Sequence, residues 1–122
     1  MNPINPIEKI RQELHLAVQS QASGNQGRAR VCARRAAGWA IQEHLRQQGL
    51  SLDSNNALDH IKYFASLNQP SEKISAVLHH LMVKMEKESL DSEAYYPIEG
   101  VDLVREARWL AEELLQTKFD LT

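Results

Sequence analysis

Cysteine, proline, glycine and aromatic residues are all scarce in this sequence. With Cys32 as the single cysteine, no internal disulfide can close, which excludes a disulfide-stapled scaffold and favours a reducing compartment. Five glycines and four prolines in 122 residues exclude a collagen-like or low-complexity chain. No apolar run approaches the ~18 residues that a membrane-spanning helix needs. The first ten residues also lack the basic segment and apolar stretch of a secretory leader. A cytoplasmic chain with no membrane partner is therefore expected. Neither charge sign dominates: 14 basic residues face 16 acidic ones, a net −2, too little to steer the chain onto nucleic acid by net charge. Glycine-rich phosphate loops, nucleophile elbows and HExxH patterns are missing too. The carboxylates do not pair on any inward helical face, so no acid–base dyad is expected and no catalytic residue is assigned.

What is present is helical. Hydrophobic residues make up 43% and charged residues 25%, as in an ordinary globular domain, and residues 1–122 form a single one. Strand-like alternation is nearly absent, whereas apolar residues recur three and four apart. Asn5-Pro6 reads as a helix N-cap followed by a first-turn proline, and Ile7, Ile10, Leu14, Ala17 and Val18 make one stripe. A turn over residues 23–27 ends it. The second helix is expected over residues 28–48, closed by Gly49 as the glycine after the C-cap. A short helix carries Leu58, Ile61, Phe64, Ala65 and Leu67, and a fourth runs from Ser71 to about Lys87 with Ile74, Val77, Leu78, Leu81, Met82 and Met85 inward. Residues 88–99, with Tyr95, Tyr96 and Pro97, read as a long acidic surface loop. The last helix is expected over residues 100–118, with Asp102, Glu106 and Glu113 on its outer face. The fold class is all-α: an antiparallel up-and-down bundle of four main helices plus one short helix.

The second helix is apolar on two flanks. Ala29, Cys32, Ala33, Ala36, Ala37 and Ala40 share one side, and Val31, Gly38, Ile41 and Leu45 the other, given a helical step of about 100° per residue. Such a helix sits at the centre of a bundle or between two subunits, so a homodimer is expected.

The same helix carries Arg28, Arg30, Arg34 and Arg35. Guanidinium forks bind phosphate, and a helix N-terminus favours anions, so these four are the candidate anion-, nucleotide- or RNA-binding residues. Trp39 lies one turn beyond Arg35, within reach of a cation–π contact. The alternative is internal ion pairing. The first 50 residues hold 7 basic and 3 acidic side chains, the rest 7 and 13, so the arginines have Asp102, Glu106 or the acidic loop as available partners. His79 and His80 are adjacent and diverge around their helix, and His15, His44 and His60 each stand alone; all five read as surface histidines, with no metal and no cofactor. Cys32 reads as a packed small hydrophobe, although arginine neighbours would favour a reactive thiolate. Trp109, beside the acidic row of the last helix, marks a contact surface or lies under the 88–99 loop.

The stretch from Gly27 to Ala40, Gly-Arg-Ala-Arg-Val-Cys-Ala-Arg-Arg-Ala-Ala-Gly-Trp-Ala, resembles the second helix of HEPN-like domains, where an alanine-rich helix forms the centre of the bundle. The short third helix, the fourth after Pro70 and the closing Glu- and Ala-rich helix are similar to that layout along nearly the whole chain. The resemblance implies a helical bundle that often dimerises. It also implies a role near RNA metabolism, nucleotide binding or toxin–antitoxin pairing with a nucleotidyltransferase. Catalytic members carry Arg, four to six residues, then His. Here three residues separate Arg11 from His15 and eight separate Arg35 from His44, and neither His79 nor His80 has an arginine at that spacing. Metal-independent cleavage needs a positioned base and a cation on the phosphate, so the expectation is a non-catalytic HEPN-like binding or assembly module. The alternatives are a nucleotide or RNA binder through the helix-2 arginines, or a divergent ribonuclease using His79 or His80 with an arginine from another helix or subunit.

Overall fold

The computed structural model describes residues 5–67, 71–87 and 101–119, with side chains as far as Met82 in the fourth helix. Five helices follow in order: α1 (Pro6–Ala22), α2 (Gln26–Gln47), α3 (Ala57–Ser66), α4 (Glu72–Lys87) and α5 (Leu103–Leu115). No strand occurs among the described residues. The expected loop over residues 88–99, the proposed break at Pro70 and the Met85 side chain lie outside the described residues.

Short polar side chains start every helix. Asn5 accepts from the Ile7 amide at 2.8 Å, Asn25 from Arg28 at 3.1 Å and Asn56 from Leu58 at 2.8 Å. Ser71 Oγ accepts from Ile74 at 3.2 Å. Each such cap offsets an otherwise unpaired amide and contributes about 0.5–2 kcal/mol. Asp102 accepts from Val104 and Arg105 at 3.1 and 3.2 Å. It caps α5 rather than lining its outer face, because its backbone is extended, with φ −108° and ψ 101°. α2 begins two residues earlier than expected, since Asn25 is the first side chain able to cap it, and Gly49 closes it at φ 80°.

α2 is the central element. It packs against α1, α3 and α5, while α4 lies on α3 and α5. Ala29, Cys32, Ala33, Ala36, Ala37 and Ala40 are all buried, so α1 approaches through small side chains. Around them lie Ile10, Leu14, Ile41, Leu45, Ile61, Leu78, Leu81 and Leu110, each 1% exposed or less. Side chains of this kind contribute about 1.5–3 kcal/mol apiece when removed from water. On the other flank Gly38 lies under the start of α3, where a built Cβ would meet Ala57 Cβ at 2.5 Å and Ala57 Cα at 2.7 Å. That flank is not covered along its whole length. Val31 is 46% exposed, because α3 meets the C-terminal part of α2, at Gly38, Trp39 and His44.

The chain does not stop packing at the end of α5. Gln116 turns it with φ 51°, and Phe119 is completely buried. Its amide donates to Glu112 Oε2 at 2.8 Å, and its carbonyl accepts from Arg108 Nη2 at 2.6 Å.

Candidate functional site

The four helix-2 arginines fall into two rows, as their spacing requires, and the rows serve different neighbours. Arg34 is 6% exposed, and its Nε donates to the Leu81 carbonyl of α4 at 2.8 Å. This arginine ties α2 to α4 inside the bundle. Arg30, one turn earlier, is partly buried, whereas Arg28 and Arg35 are exposed. Arg35 Nη1 stands 3.9 Å from Glu13 Oε1 of α1. Its acidic neighbour therefore comes from the N-terminal half of the chain. Of the acids expected as partners, Asp102 is engaged with the α5 cap and with Gln21 Nε2 at 3.1 Å and Glu106 with His80, while the 88–99 loop lies outside the described residues. Trp39 is covered by Lys9, whose Nζ lies 3.8 Å from the ring centroid, rather than by Arg35.

Cys32 sits on the α1-facing side of α2. Burial pushes its thiol up from the ordinary range, the Glu13 carboxylate adds to the shift, and Arg28 works against it. Desolvation outweighs Arg28, so the thiol is packed rather than activated.

Three histidines depart from the surface reading. His60 is fully buried, and its Nε2–H donates to the Ser54 carbonyl at 2.8 Å, pinning the 51–56 connection to α3. His44 is half-buried; its Nδ1–H donates to the Leu114 carbonyl at 3.2 Å, with its ring edge-on to Phe64. His80 is also half-buried, and its Nδ1 donates to Glu106 Oε1 at 2.6 Å. Each was concealed for one reason: the covering residue is far away in sequence or lies in a connection. His15 and His79 are exposed. No group of three or more His, Cys, Asp or Glu able to hold a metal ion occurs among the described residues. Likewise, no described helix is long and apolar enough to cross a membrane.

The His80–Glu106 pair lies at one end of a cleft between α4 and α5. The cavity measures ≈ 240 Å³ and is lined by Lys73, Ala76, Val77 and His80 from α4 and by Arg105, Glu106 and Trp109 from α5. The two helices run antiparallel, since Lys73 meets Trp109 and His80 meets Glu106. Positions 73, 76, 77 and 80 recur three and four apart, as do 105, 106 and 109, so each helix presents one face to the cleft. Trp109 is half-buried, and Lys73 Nζ stands 4.2 Å from its ring centroid. The cleft therefore combines an indole face with two cations, Lys73 and Arg105, and a carboxylate already bonded to an imidazole.

No family model, curated protein or solved structure matches the chain.

Any functional reading therefore has to come from the site. The sequence signals for this cleft were Trp109 beside the acidic row of the last helix, which includes Glu106, and His80 as a histidine in search of an arginine from another helix. Lys73 and Arg105 were not grouped with them, because the α4 and α5 residues come together only once the two helices are known to be neighbours.

Proposed function

We propose that the chain is a non-catalytic binding and assembly module, HEPN-like in its helix order, that holds a small guest in the α4–α5 cleft. The observation that carries this reading is the half-buried Trp109 ring, which packs on the core and is bordered in the cleft by charged groups from both helices. An apolar floor with a few placed polar groups is the usual make-up of a ligand pocket. The HEPN-like part, and with it pairing with a nucleotidyltransferase in a toxin–antitoxin system, rests on the Gly27–Ala40 stretch. Homodimerisation is supported by Val31, an apolar side chain 46% exposed on the uncovered end of α2.

The test is protein-observed NMR of the Trp109 indole N–H, with a panel of small planar compounds of negative, zero and positive charge. Saturable shifts at Trp109 and its cleft neighbours are expected for at least one charge class. A panel that leaves the signal unmoved on folded protein overturns the binding reading. Sedimentation tests assembly separately: a dimer is expected at tens of micromolar, and a strict monomer removes that part.

One observation favours a second reading, the divergent metal-independent ribonuclease. His80 shares its cleft with Arg105, so an arginine from another helix lines the same cavity as a histidine. His80 would act as base and Arg105 would hold the phosphate. RNA should then be degraded in the presence of a chelator by the protein but not by His80→Ala. Equal behaviour of the two dismisses this reading. The helix-2 arginines as an RNA site predict affinity that falls steeply with salt and is reduced in Arg28→Ala and Arg35→Ala; an unchanged affinity removes it.

A further inference from the structure

We infer that the α4–α5 cleft takes a small planar aromatic acid, its ring lying on Trp109 in place of the Lys73 ammonium and its anionic group held by Lys73 and Arg105. This rests on the binding reading above and specifies its guest.

Size limits the choice first. At ≈ 240 Å³ the cavity lies below the ~300–1,000 Å³ of pockets that enclose drug-sized ligands. It suits one or two fused rings with a single substituent.

The floor limits it next. Trp109 presents a flat π-surface, and the group now over it is the end of a long exposed side chain, with Nζ 4.2 Å from the centroid. Lys73 is anchored in the first turns of α4, and its four-carbon stem lets the ammonium leave the ring without moving the helix. A guest ring stacked on the indole would restore the covered state of that face. The displaced ammonium would then be free to meet an anion on the guest.

Charge selects the substituent. Glu106 is the acidic lining residue, and its Oε1 already accepts from His80 Nδ1 at 2.6 Å. Lys73 meets the Trp109 ring rather than an acid, and Glu106 pairs with His80 rather than with Lys73 or Arg105, so the lining holds two cations against one committed carboxylate. Arg105 stands in the first turn of α5, where its backbone amide donates to Asp102 at 3.2 Å. A guanidinium fork meets carboxylate or phosphate oxygens two at a time. A cationic guest would be repelled by both cations, and a neutral one would leave them unused. An aromatic carboxylate and an aromatic phosphate ester share the required chemistry.

The experiment titrates the full chain with benzoate, phenyl phosphate, benzamide and benzylamine, following the Trp109 indole N–H by NMR. One or both anions should shift that signal saturably, more tightly than benzamide or benzylamine. Arg105→Gln and Lys73→Gln should each weaken the bound anion about tenfold, while Arg35→Gln, outside the cleft, leaves the affinity unchanged. Response to benzoate alone identifies a carboxylate guest, and response to phenyl phosphate alone a phosphate ester. Both cleft substitutions lie on exposed side chains, and an unchanged melting curve confirms that each variant is folded. If benzamide or benzylamine binds at Trp109 as tightly as the anions, the inference is overturned while the binding reading stands. If Arg105→Gln and Lys73→Gln bind benzoate and phenyl phosphate as the unaltered chain does, the inference is also overturned. If no probe moves the signal, both are overturned.

Discussion

Gly38 shows how one missing atom sets a helix–helix distance. A glycine inside a helix ordinarily costs about 0.5–1 kcal/mol relative to alanine. Here, however, a Cβ would sit 2.5 Å from Ala57 Cβ and 2.8 Å from the Ala57 carbonyl oxygen. The obstruction is partly backbone, so α3 itself has to retreat. Gly38→Ala is therefore expected to destabilise the fold by about 1–3 kcal/mol in denaturant unfolding, the range for overfilling a packed site. Gly27→Ala, with nothing nearer than 3.9 Å, should be neutral or slightly stabilising. The arginines separate in the same way. Arg34→Ala removes the donor to the buried Leu81 carbonyl and should lower stability by about 1–3 kcal/mol. Arg35→Ala, half in water and 3.9 Å from its acid, should stay within about 0.5 kcal/mol.

At the level of elements, α2 ends on a charged clasp with a definite pH signature. Glu43 accepts from Arg46 Nε at 2.8 Å, from Arg46 Nη2 at 2.6 Å and from Gln47 Nε2 at 3.1 Å. The Arg46 hydrogen bonds hold its carboxyl below the ordinary glutamate range against the opposing effect of burial. A lowered folded-state value means that the stabilisation is complete above the unfolded glutamate range and is lost as pH falls through the lowered value. Acid titration of stability should accordingly show a shallower decline in Glu43→Gln than in the unaltered chain.

Elements with local signals were legible in the sequence, and those assembled from distant segments were not. Asn5-Pro6 and Gly49 are local signals, and a helix starts or ends at each as expected, whereas the turn expected over residues 23–27 is shorter because α2 already begins at Gln26. The alanine face of α2 was readable because small residues repeated at helical spacing have one packing consequence. The α4–α5 cleft was not readable in the same way. His80 and Glu106 are 26 residues apart, and no periodicity within either helix says that these faces oppose each other. Phe119 escaped for another reason: it lies past the last periodic residue, and only the left-handed turn at Gln116 sends it back to the core.

Across the whole molecule, the uneven charge of the two halves is not cancelled by the ion pairs with described partners. Arg35 faces Glu13 within the basic half, and His80 faces Glu106 within the acidic half. The halves are joined instead by bonds in which at least one group is neutral: Arg34 to the Leu81 carbonyl, His44 to the Leu114 carbonyl and Gln21 to Asp102. Such bonds are less sensitive to salt than paired surface charges.

The central place of α2 also has a temporal consequence. Its amides can meet solvent only if the partners on several sides depart together, so no small local opening suffices. Amide deuteration should be slowest along Ala33–Ile41, at a rate set by global unfolding, whereas amides near the start of α4, which rests on fewer neighbours, should exchange sooner. Uniform deuteration rates across the five helices would mean that the bundle opens all at once and has no protected axis.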